Sequence, residues 1–302
     1  MNTLADSQDI DALWDYMDPI KSEQCFTQAI AQINPGTLPL LYAELLTQQA
    51  RAIGLQQQYE RAFATLADAD ALINNTSSVA LVRYYLEYGR LLHSSRTSHA
   101  NEYFLKSYTL AIELHEDFYA IDAAHMLGII EKGLQSLEWN TIAIDIAEKS
   151  IHPRAKKWLG SLYNNTAWTY FFSENYEKAY TIFQKSKAWY AERNLLNEEF
   201  IAEWSLARTL RAQGHLQEAL QAQLTLLENR QAANFPEDGY ISEELGEILL
   251  SMGREQEAAP HFAHAFDLLR HDIWLQQNED KRLKRLELLS NNFSNSQEQE
   301  HE

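Results

Sequence analysis

One short phrase recurs along this chain and restricts what it can fold into. A turn is followed by three residues and then alanine: YERA at Ala62, TSHA at Ala100, NTIA at Ala143, YEKA at Ala179, LQEA at Ala219 and EQEA at Ala258. Successive alanines lie 38, 43, 36, 40 and 39 residues apart. Four residues after them come Leu66, Phe104, Ala147, Phe183, Gln223 and Phe262, and seven after come Ala69, Ser107, Ser150, Ser186, Leu226 and Ala265. Those offsets place the residues on one helix face. The face is mostly apolar or small, so it packs and lets another backbone approach closely.

A second helix precedes each alanine. The best copy presents Tyr163, Thr166, Ala167 and Tyr170 at i, i+3, i+4 and i+7; later copies present Glu203, Leu206, Ala207 and Leu210, then Ser242, Leu245, Gly246 and Leu249. Ala167, Ala207 and Gly246 suit a helix crossing, where a bulky side chain would force the axes apart. Gly214 and Gly253 fall where the first helix of a pair should end. With 302 residues the chain is too long for one core, and 10 Gly and 6 Pro provide too few turns for a many-stranded fold. An ordinary helical domain with small residues recurring by chance is the competing reading, and six anchors in one frame oppose it.

The pattern resembles the tetratricopeptide repeat (TPR), a helix–turn–helix unit of roughly 34 residues. The resemblance is good over about 154–271, fair over 38–73 and degenerate over 79–152. It implies an all-α fold: a right-handed α-solenoid of about six TPR-like hairpins with capping helices at both ends. The expected divisions are N-terminal capping helices over 1–36, repeats over 37–76, 77–116, 117–152, 153–194, 195–235 and 236–271, a capping helix over 272–290, and a disordered tail over 291–302. At the N-terminal end a short DIDALWDYM helix should precede one opened by Asp18-Pro19, with Asp at N-cap and Pro at N1.

The formal charge of −18 excludes generic nucleic-acid and anionic-membrane binding unless cations cluster. Lys281, Arg282, Lys284 and Arg285 form the one dense basic cluster and read as the solvated outer face of the C-terminal cap. Cys25, the single cysteine, permits no intrachain disulfide and reads as a buried structural thiol. The first residues lack a signal-peptide pattern, and no apolar run approaches membrane-spanning length. A cytoplasmic protein is expected. Phosphate-loop, dinucleotide, zinc-protease and serine-hydrolase motifs are missing from the sequence. His261 and His264, with Glu257 a turn before, fall short of a zinc site's ligand number. No catalytic residue, metal or cofactor is expected, and an enzyme is the least favoured class.

The resemblance further implies that the first helix of each hairpin lines a concave groove. The groove residues it assigns are Arg51, Arg83, Arg90, Asn164, Asn165, Trp168, Phe172, Trp204, Arg208 and Arg211. Asn165 stands where many peptide-binding TPRs carry an asparagine that grips a ligand backbone, since an amide both donates and accepts; capping or bridging helices internally is the alternative. Arg51, Arg90 and Arg208 share one repeat place, held by Trp168 in repeat four, and suggest a basic stripe suited to carboxylates. The alternative is internal pairing with Glu44, Glu87, Asp122 or Glu247. Trp168, Phe171, Phe172 and Trp204 are either an apolar groove floor or core. The expected function is a scaffold or adaptor for a protein or peptide segment that is acidic or bears a carboxylate. The alternative is an intracellular receptor for a short signalling peptide that changes superhelix pitch. Exposed ends and grooves leave a homodimer open as well.

Overall fold

The recurring small residues do bring pairs of helices into contact. The computed structural model describes residues 10–292, which divide between two compact units that meet at Leu162 and Tyr163. The first unit contains α1 (Pro19–Ile30), α2 (Pro39–Leu55), α3 (Tyr59–Ile73), α4 (Val79–Ser94), α5 (Ala100–Glu113), α6 (Asp117–Ile130), α7 (Leu134–Lys149) and the single turn α8 (Pro153–Lys156). Helix α9 (Leu159–Phe172) carries the boundary. The second unit continues through α10 (Tyr176–Ala191), α11 (Leu196–Ala212), α12 (Leu216–Ala232), α13 (Gly239–Ser251), α14 (Glu255–Leu269), α15 (Ile273–Asn278) and α16 (Asp280–Asn292). There is no strand among the described residues. Consecutive helices pack as hairpins: α2 with α3, α4 with α5 and α6 with α7, then α11 with α12 and α13 with α14. Ala167 of α9 joins Ala179 and Phe183 of α10 in one apolar cluster. The fold is an all-α solenoid of helical hairpins.

Side-chain size sets the spacing inside a hairpin. A Cβ added to Gly89 would lie 2.7 Å from the Phe104 ring, and one added to Gly246 would lie 2.8 Å from the Phe262 ring. Both rings are fully buried. Each therefore lies directly on the backbone of the preceding helix, four residues after its anchor alanine. The third hairpin corrects the frame. There Asn140 meets Gly128, and the Ser136 hydroxyl donates to the Gly128 carbonyl at 2.6 Å. Ser136 and Asn140 thus occupy the places assigned to Ala143 and Ala147. The sequence frame was seven residues too far along, because an alanine also recurs one heptad later on the same face.

Turns between paired helices need a left-handed residue, and Gly214 (φ +84°) and Gly253 (φ +74°) supply it as expected. At Gln57, Arg96 and Glu174 the same conformation is held by non-glycine residues, which hides those turns from a glycine search. Asp18 caps α1 as expected, its carboxylate accepting from the Lys21 N–H at 3.0 Å. The short helix expected before it is largely replaced by turns after Asp11. Ser22 holds these turns, its hydroxyl bonded to both the N–H and the C=O of Asp15 at 2.8 Å. Cys25 is only half-buried, contrary to expectation. The C-terminal cap breaks at Glu279 into α15 and α16, and Leu275, Leu283 and Leu286 complete the last core. Ile273, at the start of α15, is exposed. All but the first two residues of the tail expected over 291–302 lie outside the described residues.

Candidate functional site

Five of the ten sequence-assigned groove residues come together in the second unit. Trp168, Phe172, Trp204, Arg208 and Arg211 line a cavity of about 740 Å³, within the size range of ligand pockets. Trp168 and Phe172 come from α9, and the next three from α11, one turn apart at i, i+4 and i+7. The opposite side is built from Tyr240, Glu243, Glu244 and Glu247 of α13 with Arg282 and Arg285 of α16. Sequence reasoning missed most of this second wall. Its signal was present in two helical spacings, 243/244/247 and 282/285. The basic cluster of the cap does not simply face solvent: Arg282 and Arg285 turn to the cavity, while Lys284 pairs with Asp280 at 2.6 Å.

Nearly every charge in this cavity is matched. Arg211 donates to both oxygens of Glu244, at 2.6 and 3.0 Å. Arg282 binds Glu243 through Nε at 2.8 Å and Nη2 at 2.5 Å, and Glu279 at 2.9 Å. Arg285 grips Glu247 with both terminal nitrogens. Such forked pairs use a guanidinium's geometry fully. Arg208 is the exception. It has no ion pair among the described residues, and its buried Nε has no hydrogen-bond partner. Its guanidinium lies over aromatic rings instead, 5.3 Å from Trp204, 5.7 Å from Phe171 and 5.8 Å from Trp168. Burial pulls its pKa below the ordinary arginine value; the pull of Glu244 opposes this, and the like charges of Arg211 and Arg282 add to it. Burial likewise pushes the Glu244 carboxyl up, against the hydrogen bonds and charge of Arg211.

The aromatic groups line the cavity and pack on the core at once. Trp168 packs against buried Phe183 at 5.1 Å and against Trp204 at 5.9 Å. The Trp204 indole N–H donates to the Tyr240 carbonyl at 3.0 Å, fixing that ring. Phe172 is 75% exposed at the cavity edge. Asn165 is exposed one turn before Trp168 on the same face, and its side-chain contact is a 3.4 Å hydrogen bond from Asn164. Neither asparagine caps a helix in the second unit.

The other arginines lie in the first unit and are engaged there. Arg83 is 2% exposed and pairs with Asp11 at 3.1 Å and Glu44 at 3.2 Å. Arg90 pairs with Glu87 at 2.6 Å and Asp122 at 2.5 Å. Arg51 lies 3.6 Å from Glu87 and stands over the rings of Trp14 and Tyr16. Internal pairing with Glu44, Glu87 and Asp122, the alternative reading of the sequence, describes Arg83 and Arg90. Among the described residues no group of three or more His, Cys, Asp or Glu could hold a metal ion, and no helix is long and apolar enough to cross a membrane.

No protein-family model matches the sequence, and no curated protein matches it. Solved structures do match the fold. A signal transduction ATPase with numerous domains (STAND) from Pyrococcus horikoshii, which carries a tetratricopeptide repeat sensor, superposes with a TM-score of 0.68 at 15% identity over 89% of this chain. The chain has the tetratricopeptide-repeat fold. It spans 41% of that ATPase's length. BtubC from P. vanneervenii superposes with a TM-score of 0.56 at 15% identity, over 76% of this chain and 93% of its own. At such identities the likeness concerns the fold, and the cavity around Arg208 has to be interpreted from its own residues.

Proposed function

We propose that this TPR protein is a binding module that receives a segment of another protein in the second-unit cavity, with a carboxylate of that segment on Arg208. The observation that carries the reading is the unequal treatment of neighbouring arginines. Arg211, Arg282 and Arg285 have carboxylate partners, while Arg208 is partly desolvated without one. A buried cation lacking a partner is costly, and a ligand carboxylate would remove that cost by a charge-assisted, bidentate contact. Trp168, Trp204 and exposed Phe172 offer apolar surface beside it. The ligand favoured is an acidic residue, or a terminal carboxylate, next to an aromatic or aliphatic side chain. The basic stripe shrinks in this reading from several arginines to one. A binding role, and not catalysis, fits a cavity whose carboxylates are tied to arginines and whose chain supplies no nucleophile–base pair there.

The test is a peptide array probed with the wild-type protein and with Arg208→Ala. Peptides bearing an acidic group beside an apolar residue should be retained by the wild type and lost by the variant. Retention of the same peptides by both would refute the placement. A second reading, a receptor for a short signalling peptide, is supported by exposed Asn165, whose amide is available to a ligand backbone beside Trp168. The sensor role for which the STAND protein is named is in keeping with it. Asn165→Ala would then abolish binding of every peptide regardless of charge.

A further inference from the structure

A second cavity, of about 200 Å³, lies wholly within the first unit. It is lined by Asp11, Tyr16, Gln48, Arg51 and Glu87 and by aromatic rings including Trp158. We propose that it is a binding site for a small zwitterion with α-amino-acid geometry. Its charge network consists of two ion-paired sets, each with two arginines and two carboxylates: Arg51 and Arg90 with Glu87 and Asp122, and Arg83 and Arg154 with Asp11 and Glu44. A ligand of net charge would unbalance that network in a low-dielectric setting, which is expensive; a neutral dipolar one would not.

Two adjacent groups have bonding capacity left over, of opposite kinds. Glu87 is 1% exposed, and its Oε1 accepts from Arg90 while its Oε2 has no partner. Arg51 makes no hydrogen bond among the described residues; its guanidinium sits over Trp14 and Tyr16 and lies 3.6 Å from Glu87 Oε1. An unused acceptor beside an unused forked donor complements an ammonium beside a carboxylate, which in an α-amino acid are attached to one carbon. The Trp158 indole N–H, buried and unpartnered, supplies a further donor. Phe118, Tyr119 and Trp158 give the ligand's side chain an apolar wall. The quarter-exposed Arg51 and the exposed Tyr16 ring mark where a ligand would enter.

Thermal unfolding with the free standard L-amino acids, each compared with its N-acetyl and carboxamide derivatives, tests this. At millimolar concentration at least one free amino acid should raise Tm, and neither of its singly charged derivatives should. Arg51→Ala, compared with its own ligand-free Tm because the change also removes the contact with Glu87, should lose the rise. Glu87→Gln should weaken the response to the free amino acid at least tenfold in concentration. The response should survive Arg208→Ala, since that residue belongs to the other cavity. If no free amino acid raises Tm, or if an N-acetyl form does so equally, the proposal is overturned.

Discussion

Arg211 and Glu244 form an asymmetric pair, and the asymmetry yields a quantitative prediction. The Glu244 side chain is 2% exposed, whereas Arg211 is 23% exposed. Arg211→Ala leaves a carboxylate buried without its two hydrogen bonds, and water has little access to replace them. Breaking a buried pair in this way costs about 3 kcal/mol, at the low end of the usual range because Arg208 and its charge are nearby. Glu244→Gln leaves a guanidinium that water can reach and an amide that still accepts one hydrogen bond, so its cost is about 1 kcal/mol. Urea unfolding at neutral pH, with unchanged m-values, should resolve that difference. The pH dependence adds an independent check. Burial already raises the folded-state pKa of Glu244, and losing Arg211 raises it further. A raised carboxyl binds its proton more tightly in the folded state, so its contribution to stability is full below the ordinary value of 4.5 and is lost as pH rises through the folded value. The Arg211→Ala deficit should therefore shrink as pH falls from neutral toward 4.5. Equal losses for the two variants, or a deficit that does not change with pH, would refute the assignment of Glu244 as the desolvated partner.

Other expectations follow from the packing and the charges. Gly246→Ala forces a Cβ to 2.8 Å from the buried Phe262 ring; overpacking should outweigh the gain in helix propensity and cost about 1–2 kcal/mol by urea titration. Gly214→Ala has open space around its Cβ but a φ of +84°, so its loss of about 1 kcal/mol should arise from backbone strain alone and leave ligand affinity unchanged. Peptide binding through Arg208 should weaken as salt rises, though less than for a fully exposed charge, because the site is partly buried; affinity unaffected by salt would argue for apolar contacts alone.

Periodicity made the helical hairpins legible, since an array buries the same face again and again. Phe104, Phe183 and Phe262 at one offset sufficed to reveal it. Register in the third hairpin was not legible, because Asn140 replaces the aromatic residue and Ser136 replaces the alanine. The sequence reading picked out helix α11 of the cavity but not most of the wall that faces it. Which carboxylate meets which arginine depends on how α13 and α16 approach, and that is set by contacts some 33 to 39 residues apart in sequence. Arg51, Arg90 and Arg208 follow equivalent small residues, Ala50, Gly89 and Ala207, so they look alike in sequence. Only the packed structure separates Arg90, paired with Glu87 and Asp122, from Arg208, which has rings around it and no ion pair among the described residues.

The central claim is that Arg208 is the anchor for a carboxylate-bearing segment, and a fluorescence titration tests it most directly. Trp168 and Trp204 flank the guanidinium, so their emission should respond to a ligand seated there. A peptide selected from the array should bind the wild type, its carboxamide counterpart should bind at least about tenfold more weakly, and Arg208→Ala should remove that preference, a loss of about 1.4 kcal/mol or more. Equal affinity of wild type and Arg208→Ala for the acidic peptide would contradict the account.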